Sequence, residues 1–266
     1  MINKIIEDIS FRLKINIDKN KINYFTDGST DSIVFSIDNK YLIKTVDELT
    51  LKTQVEFFNL YKNDYFQKII YYNEKLKYIC FEYIQGNLFK NEKHIDYNDI
   101  TTQIYNIVSN YKKYDYDNYG YLFEDHKSWY EFLKSEVEYS KKSIESLNID
   151  ISKVENALKI IKKYKVDKYL IHGDFGVHNF LINKSNIKVI DPMSVVGDYL
   201  YDFYFALLSS ANIIKNIKID DMLNFFDRNI NYKKSLFIIV FYIRMCRCYI
   251  YDKDNFNVYL KTYNNL

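Results

Sequence analysis

Three side chains in one stretch of this chain have the types and spacing to act on a phosphate. In the segment LIHGDFGVHNFLINKSNIKVIDPMSVVGDYLYD, residues 170–202, Asp174 is followed five positions later by Asn179, and Asp191 lies beyond it. A carboxylate such as Asp174 can orient an attacking hydroxyl and accept its proton. The amide oxygen of Asn179 and the carboxylate of Asp191 are hard ligands of the kind Mg²⁺ takes, with water and phosphate oxygens filling its other positions. The pattern predicts a strand over 169–172, a loop holding Asp174, a strand over 180–182 and a third over 187–190 that ends at Asp191. Two strands flanking a loop would bring the three residues to one edge.

The elements around this segment change character along the chain. Apolar residues at Ile5, Ile6, Ile9 and Leu13 predict a short helix over 3–13. Alternation between residues 22 and 45, with turn signals DGST and DNK, predicts three strands. Leu51, Val55, Phe58 and Leu60 return to helical spacing, so a helix over 48–61 is expected, with Asp47 or Thr50 as its N-cap. Two more strands are expected near 68–72 and 76–83. After Gly86, helical periods run over 95–114, 127–147 and 151–164. From Tyr199 to the end the pattern is helical, with turns near 210–218, 229–232 and 252–255. The expected organisation is α+β: a small β-rich part over residues 1–84 and a larger helical part over 85–266.

The chemistry-bearing motif resembles one family. His172-Gly173-Asp174-x4-Asn179 followed by Ile190-Asp191 is similar to the catalytic loop and metal motif of the aminoglycoside phosphotransferase/choline kinase family, whose fold is like that of protein kinases. Ile190-Asp191-Pro192 with Gly197-Asp198 and Asp202 resembles its antibiotic-kinase branch. The resemblance extends over roughly residues 22–205 in family order. Residues 26–36 resemble the loop that covers the nucleotide, Lys44 in YLIKT the strand lysine, Glu56 its helix partner, and FEYIQG, 81–86, the hinge that takes the adenine. The resemblance implies a bilobal protein-kinase-like fold and transfer of the γ-phosphate of ATP or GTP, with Mg²⁺, to a small-molecule hydroxyl. Asp174 would be the catalytic base, and Asn179 and Asp191 the metal ligands. Lys44, held by Glu56, would grip the α/β-phosphates. Gly28, Ser29, Thr30 and Ser32 would cover the phosphates with backbone N–H groups. The Glu82 carbonyl and the Ile84 N–H would meet adenine.

Other residues read more plainly. His172 is expected to serve hydrogen bonding within the loop, and His178 to be a solvated or packing residue. Asp198 and Asp202 are expected to cap and anchor the next helix. Cys80, Cys246 and Cys248 read as reduced core thiols in a cytoplasmic protein. Tyr is abundant and Arg numbers only four, the bias of an AT-rich coding sequence. A net charge of +2 gives no polyanion signal, and no apolar run is long enough for a membrane span, so neither nucleic acid nor membrane is an expected partner. A monomer is expected, since no exposed apolar seam stands out.

The acceptor is less constrained. The window 115–138 holds seven acids and two lysines, which permits a polycationic aminoglycoside but equally describes an acidic solvated helix face. From Asp191 onward eight acids face nine bases. An aminoglycoside-like antibiotic is the first expectation, and a housekeeping kinase of choline, ethanolamine, a sugar or an amino alcohol the alternative. A nucleotide-binding pseudokinase is disfavoured because Lys44, Asp174, Asn179 and Asp191 are all present. A protein kinase is disfavoured because Pro192 follows Asp191 and no activation segment follows.

Overall fold

The computed structural model describes residues 1–25, 32–92 and 95–266. The chain divides into two compact units, one comprising Met1–Leu88 with Phe180–Met193, the other Phe89–Asn179 with Ser194–Leu266. The first unit is therefore not continuous in sequence. The segment that ends in Asp191 joins it, whereas a cut into 1–84 and 85–266 places that segment with the second.

The first unit is built on a five-stranded sheet of order β1-β2-β3-β5-β4, with antiparallel neighbours throughout. Its strands are β1 (Ile22–Phe25), β2 (Val34–Ile37), β3 (Tyr41–Thr45), β4 (Ile69–Asn73) and β5 (Tyr78–Glu82). Asp38 and Asn39, both at positive φ, turn β2 into β3, as the DNK signal requires. The DGST signal lies outside the described residues.

Helix α1 (Ile2–Leu13) buries Ile5 and Ile9 against Phe35, Ile37, Ile43, Tyr78 and Cys80 of the sheet. Its Asp8 accepts hydrogen bonds from Tyr78 Oη at 2.6 Å and Asn73 Nδ2 at 2.7 Å, which pins the helix in place. Helix α2 (Glu48–Leu60) is capped by Asp47, whose carboxylate accepts the Thr50 N–H at 2.9 Å. The short strand β6 (Asn87–Leu88) pairs with β9 (Phe180–Asn183), which forms a hairpin with β10 (Asn186–Val189). This hairpin is tied to residues 65–67: Val189 N donates to Tyr65 O, and Gln67 N to Val189 O.

The second unit is mostly helical. It holds α3 (Tyr97–Ser109), α4 (Trp129–Lys141), α5 (Ser152–Ile161), α6 (Leu200–Leu207), α7 (Ala211–Asn216), α8 (Ile219–Asn224), α9 (Ile230–Tyr251) and α10 (Phe256–Asn264). The segment expected as a turn near 210–218 contains α7. It is capped by Ser210, whose hydroxyl accepts the Asn212 N–H, and it buries Ala211 and Ile213. The 22-residue α9 is the spine, packed by α4, α5, α6 and α10. No helix among the described residues is long and apolar enough to cross a membrane. All three cysteines are free and buried, and burial pushes the Cys80 and Cys246 thiols up to about 12.

Three short strands, β7 (Gly120–Tyr121), β8 (Tyr169–Ile171) and β11 (Val195–Gly197), form a small sheet with β11 in the middle. It fixes the end of β8, from which the Asp174 loop departs. Gly197 lies against the buried Trp129 indole, and a Cβ there would come within 2.1 Å of the ring. Trp129 is itself wedged between Phe132 and Tyr201 and cannot yield cheaply. Gly197→Ala is expected to destabilise the protein by about 1–3 kcal/mol, read as a lowered Tm in a thermal melt. An unchanged Tm would mean that the indole moves freely.

Candidate active site

The site residues fall into two groups, one in each unit. The first group is Lys44, Gln54 and Asp191. Lys44 sits on β3, whose alternation leaves it half-buried. Asp191 follows β10 in a left-handed backbone conformation, φ 63°, uncommon for a residue with a side chain. Lys44 Nζ meets Asp191 Oδ1 at 2.5 Å, and Gln54 Nε2 donates to the same oxygen at 2.6 Å. Asp191 Oδ2 has no donor among the described residues, and the side chain is 42% exposed. One carboxylate oxygen is therefore anchored and the other is open.

The expected pairing of Lys44 with Glu56 is not what the structure holds. Glu56 lies on an exposed position of α2, and Glu48 is paired with Lys52 at 2.7 Å. Helical geometry gives the reason. The inward stripe of α2 runs through Leu51, Gln54, Val55 and Phe58, which excludes Glu56. Gln54 is 2% exposed, and its Oε1 is buried without a donor. It is a polar residue on an apolar stripe, and that placement was the available sequence signal for it.

Of the expected nucleotide contacts, Gly28, Ser29 and Thr30 lie outside the described residues. Ser32 is partly buried just before β2. Glu82 closes β5: its N–H donates to Lys68 O at 2.9 Å, and its carbonyl accepts Gln67 Nε2 at 3.2 Å. A carbonyl has a second lone pair, so this bond does not exhaust it. The Ile84 N–H has no acceptor among the described residues.

The second group is organised by a buried carboxylate. Asp202, in the first turn of α6, is fully buried and accepts the backbone N–H of His172 at 2.6 Å, that of Gly173 at 3.0 Å and Tyr111 Oη at 2.8 Å. Burial pushes its carboxyl up to about 7, against those three donors. Asp198 takes the other structural task, accepting Leu200 N–H and Tyr232 Oη. The loop after β8 is then stitched internally. His172 Nδ1 accepts the Asp174 N–H, the Gly176 N–H reaches Asp174 O, and Asn179 Nδ2 donates to Asp174 O at 2.9 Å and to Oδ2 at 3.2 Å.

Both Asp174 oxygens have further partners. His178 Nε2 lies 3.0 Å from Oδ2, and Arg247 Nη1 from α9 donates to Oδ1 at 3.0 Å. Burial alone would raise the Asp174 carboxyl. The hydrogen bond and charge of His178, then the charges of Arg247 and His172, outweigh it and hold the group well below the ordinary carboxylate range. Arg247 also reaches Glu136 Oε2 at 3.4 Å, and burial raises that carboxyl.

His178, Arg247 and Glu136 were not expected here. His178 follows Asp174 by four positions, a local signal. Glu136 sits between Leu133 and Val137 on the buried stripe of α4, a weaker one. Arg247 had none beyond the scarcity of arginine in the chain.

Each group keeps one open hard donor of the kind Mg²⁺ takes: Asp191 Oδ2 in the first unit, and in the second the Oδ1 of Asn179, whose Nδ2 is spent on Asp174. No group of three or more His, Cys, Asp or Glu among the described residues could hold a metal ion.

No protein-family model matches the sequence, and no curated protein is similar to it. Solved structures do match in fold. A thermostable mutant of aminoglycoside phosphotransferase APH(4)-Ia aligns with a TM-score of 0.62 at 13% identity, covering 97% of each chain. A variant of that protein was solved with AMP-PNP and hygromycin B. Choline kinase from Cryptosporidium parvum Iowa II aligns at 0.62 and 15% identity over 99% of this chain and 94% of its own. Choline kinase LicA from Streptococcus pneumoniae aligns at 0.58 and 15% over 100% and 99%. The chain thus has the mixed helix-and-strand fold of these small-molecule kinases, as the motif's resemblance implied.

The lowered Asp174 carboxyl has a consequence for stability. Its folded pKa lies below the unfolded value of about 3.9, so the stability it contributes is present above that pH and is lost as pH falls through the folded value. Denaturant unfolding of the native protein and Asp174→Asn from pH 6 to pH 2.5 is expected to show a native advantage that narrows below about pH 4. An advantage that grows on acidification would contradict the pairing.

Proposed function

We propose that this protein is a phosphotransferase that moves the γ-phosphate of ATP or GTP to a hydroxyl of a small molecule, with Mg²⁺. The observation that carries the reading is the contact of Lys44 with Asp191, residues 147 positions apart in the chain, with the second Asp191 oxygen left open. A strand lysine on an aspartate that offers one free oxygen suits triphosphate and metal, and has no packing purpose that an apolar pair would not serve better. The kinase fold of the neighbours supports the reading.

In the proposed reaction Lys44 would neutralise phosphate charge, and Asp191 and Asn179 would hold the metal, which would supply further positive charge against the phosphate oxygens. Asp174 orients the acceptor hydroxyl. As that oxygen bonds to the γ-phosphorus, the bond to the β-phosphate oxygen breaks, the hydroxyl proton passes to the Asp174 carboxylate, and the nucleoside diphosphate leaves. Asn179, bonded to the Asp174 carbonyl and carboxylate, ties the base to the metal ligand. Ile84 N–H and the free lone pair of Glu82 O would meet the base edge of the nucleotide, and the Ser32 backbone its phosphates.

An aminoglycoside acceptor rests on the APH(4)-Ia likeness and on the acidic window 115–138. Choline kinases share the same fold, so fold does not choose between them. Four acids of the window are paired: Asp125 with Lys127, Glu138 with Lys134 and Glu124 with His126 inside it, and Glu136 with Arg247 of α9. That favours the metabolite-kinase alternative.

The test is acceptor-stimulated release of ADP or GDP across pooled hydroxylated small molecules. Asp174→Ala is expected to lower turnover roughly 10²- to 10⁴-fold. Lys44→Ala is expected to weaken nucleotide binding measured directly. Full turnover in Asp174→Ala would overturn the assignment of the base.

A further inference from the structure

The group of charges around Asp174 is more basic than a site for a cationic acceptor should be. Arg247 carries five N–H donors. One goes to Asp174 and one, at 3.4 Å, to Glu136. The other three have no acceptor among the described residues, and the side chain is 24% exposed. One turn earlier on α9, Arg244 is 8% exposed and has no carboxylate within ion-pair distance among the described residues. It donates a long 3.4 Å bond from Nη2 to Ser209 O and a side-chain bond to Tyr259, and its Nε is buried without an acceptor among the described residues. The two guanidinium groups lie 4.7 and 5.0 Å from the ring centre of Phe205. Ser209 in turn supports the catalytic loop, its hydroxyl accepting the Val177 N–H at 2.9 Å. On the other side of Asp174, His178 is half-exposed.

Asp174 and Glu136 both touch Arg247, with His178 on the far side of Asp174, Arg244 one turn away, Glu124 beyond Glu136 and the buried Asp202 behind the loop. A buried arginine without a counter-ion is costly, because desolvation of its charge is not offset by a partner. An amine brought beside Asp174 would meet the Arg247 charge and would compete with it for the carboxylate. An oxyanion would take up the unused N–H donors in the planar fork that guanidinium offers.

We propose that the acceptor carries an oxyanionic group, a carboxylate or a phosphate, near the hydroxyl that is phosphorylated, and that Arg247 is the residue that recognises it. This rests on the phosphotransferase reading above. Arg247 is a specificity residue here: it binds the acceptor and keeps a cationic group from the place beside Asp174. Arg244 adds charge from behind without touching the ligand.

The test measures binding and turnover separately. Binding is titrated calorimetrically, in the presence of Mg²⁺ and AMP-PNP, for a hydroxycarboxylate (glycerate or gluconate), a sugar phosphate (ribose 5-phosphate), a neutral polyol and two cationic acceptors (choline and an aminoglycoside). The native protein is expected to bind at least one oxyanionic compound, and the hydroxycarboxylate and sugar-phosphate arms decide which oxyanion it is. Arg247→Gln should weaken that binding at least tenfold. Arg247→Lys, which keeps the charge and loses the fork, should recover part of it. Where turnover is seen, Arg247→Gln should raise KM for the oxyanionic acceptor far more than it lowers kcat. Binding of the cationic compounds in preference to every oxyanion, or binding of no oxyanion, overturns the inference. So does an affinity for the oxyanion that both variants leave unchanged. Failure of the underlying reading looks different: oxyanion binding that depends on Arg247, with no nucleotide bound by the native protein and no turnover.

Discussion

The site depends on one buried carboxylate. Asp202 lies inside the second unit with no solvent contact and accepts two consecutive backbone N–H groups at the point where β8 ends. Those donors would otherwise point into the apolar surroundings of Leu170, Ile171 and Phe175 without partners. Because Asp202 binds both, the chain must turn at Gly173, whose φ of 82° suits a residue without a side chain. The turn in turn fixes where Asp174 emerges. The position of the proposed base is thus set by a residue 28 places later on a different element.

A second constraint is electrostatic. A partly buried carboxylate is tolerated only when its charge is answered, and this chain answers each of its site carboxylates differently. Asp191 is answered by an ammonium and an amide on one oxygen, so the other stays open. Asp174 is answered on both oxygens, by Arg247 on one and by His178 and Asn179 on the other. The first arrangement suits a ligand of metal, and the second suits a base kept ionised until an acceptor approaches. Two aspartates of the same motif are thereby given different chemistry by their neighbours alone.

Those neighbours also separate the general from the particular. Lys44, Asp191, Asp174 and Asn179 are the residues that the motif's resemblance singles out. Gln54 in place of a helix carboxylate, and Arg247 reaching from α9 to the base, are features of this chain's own packing. The first leaves Lys44 committed to Asp191. The second brings a cation against the Asp174 carboxylate.

Much of this was legible in the sequence because it is local. Alternation marked the strands, helical spacing marked α1, α2, α4 and α9, and the H-G-D-x4-N spacing marked a loop between two strands; each depends on residues within a few positions of one another. The anchoring role of Asp202 and the loop role of His172 could be read the same way. The pairing partners could not. Glu56 and Gln54 lie two positions apart on α2, and only the packing of that helix decides which points inward. Arg247 meets Asp174 across 73 positions and Glu136 across 111, a coincidence that exists once α4 and α6 have packed on α9 and nowhere before. The sequence by itself determined which residues could do chemistry, because that is a matter of residue type and short spacing. Only the tertiary structure decided what charge each of them faces, because a charge acts through space and the chain brings its neighbours there by folding.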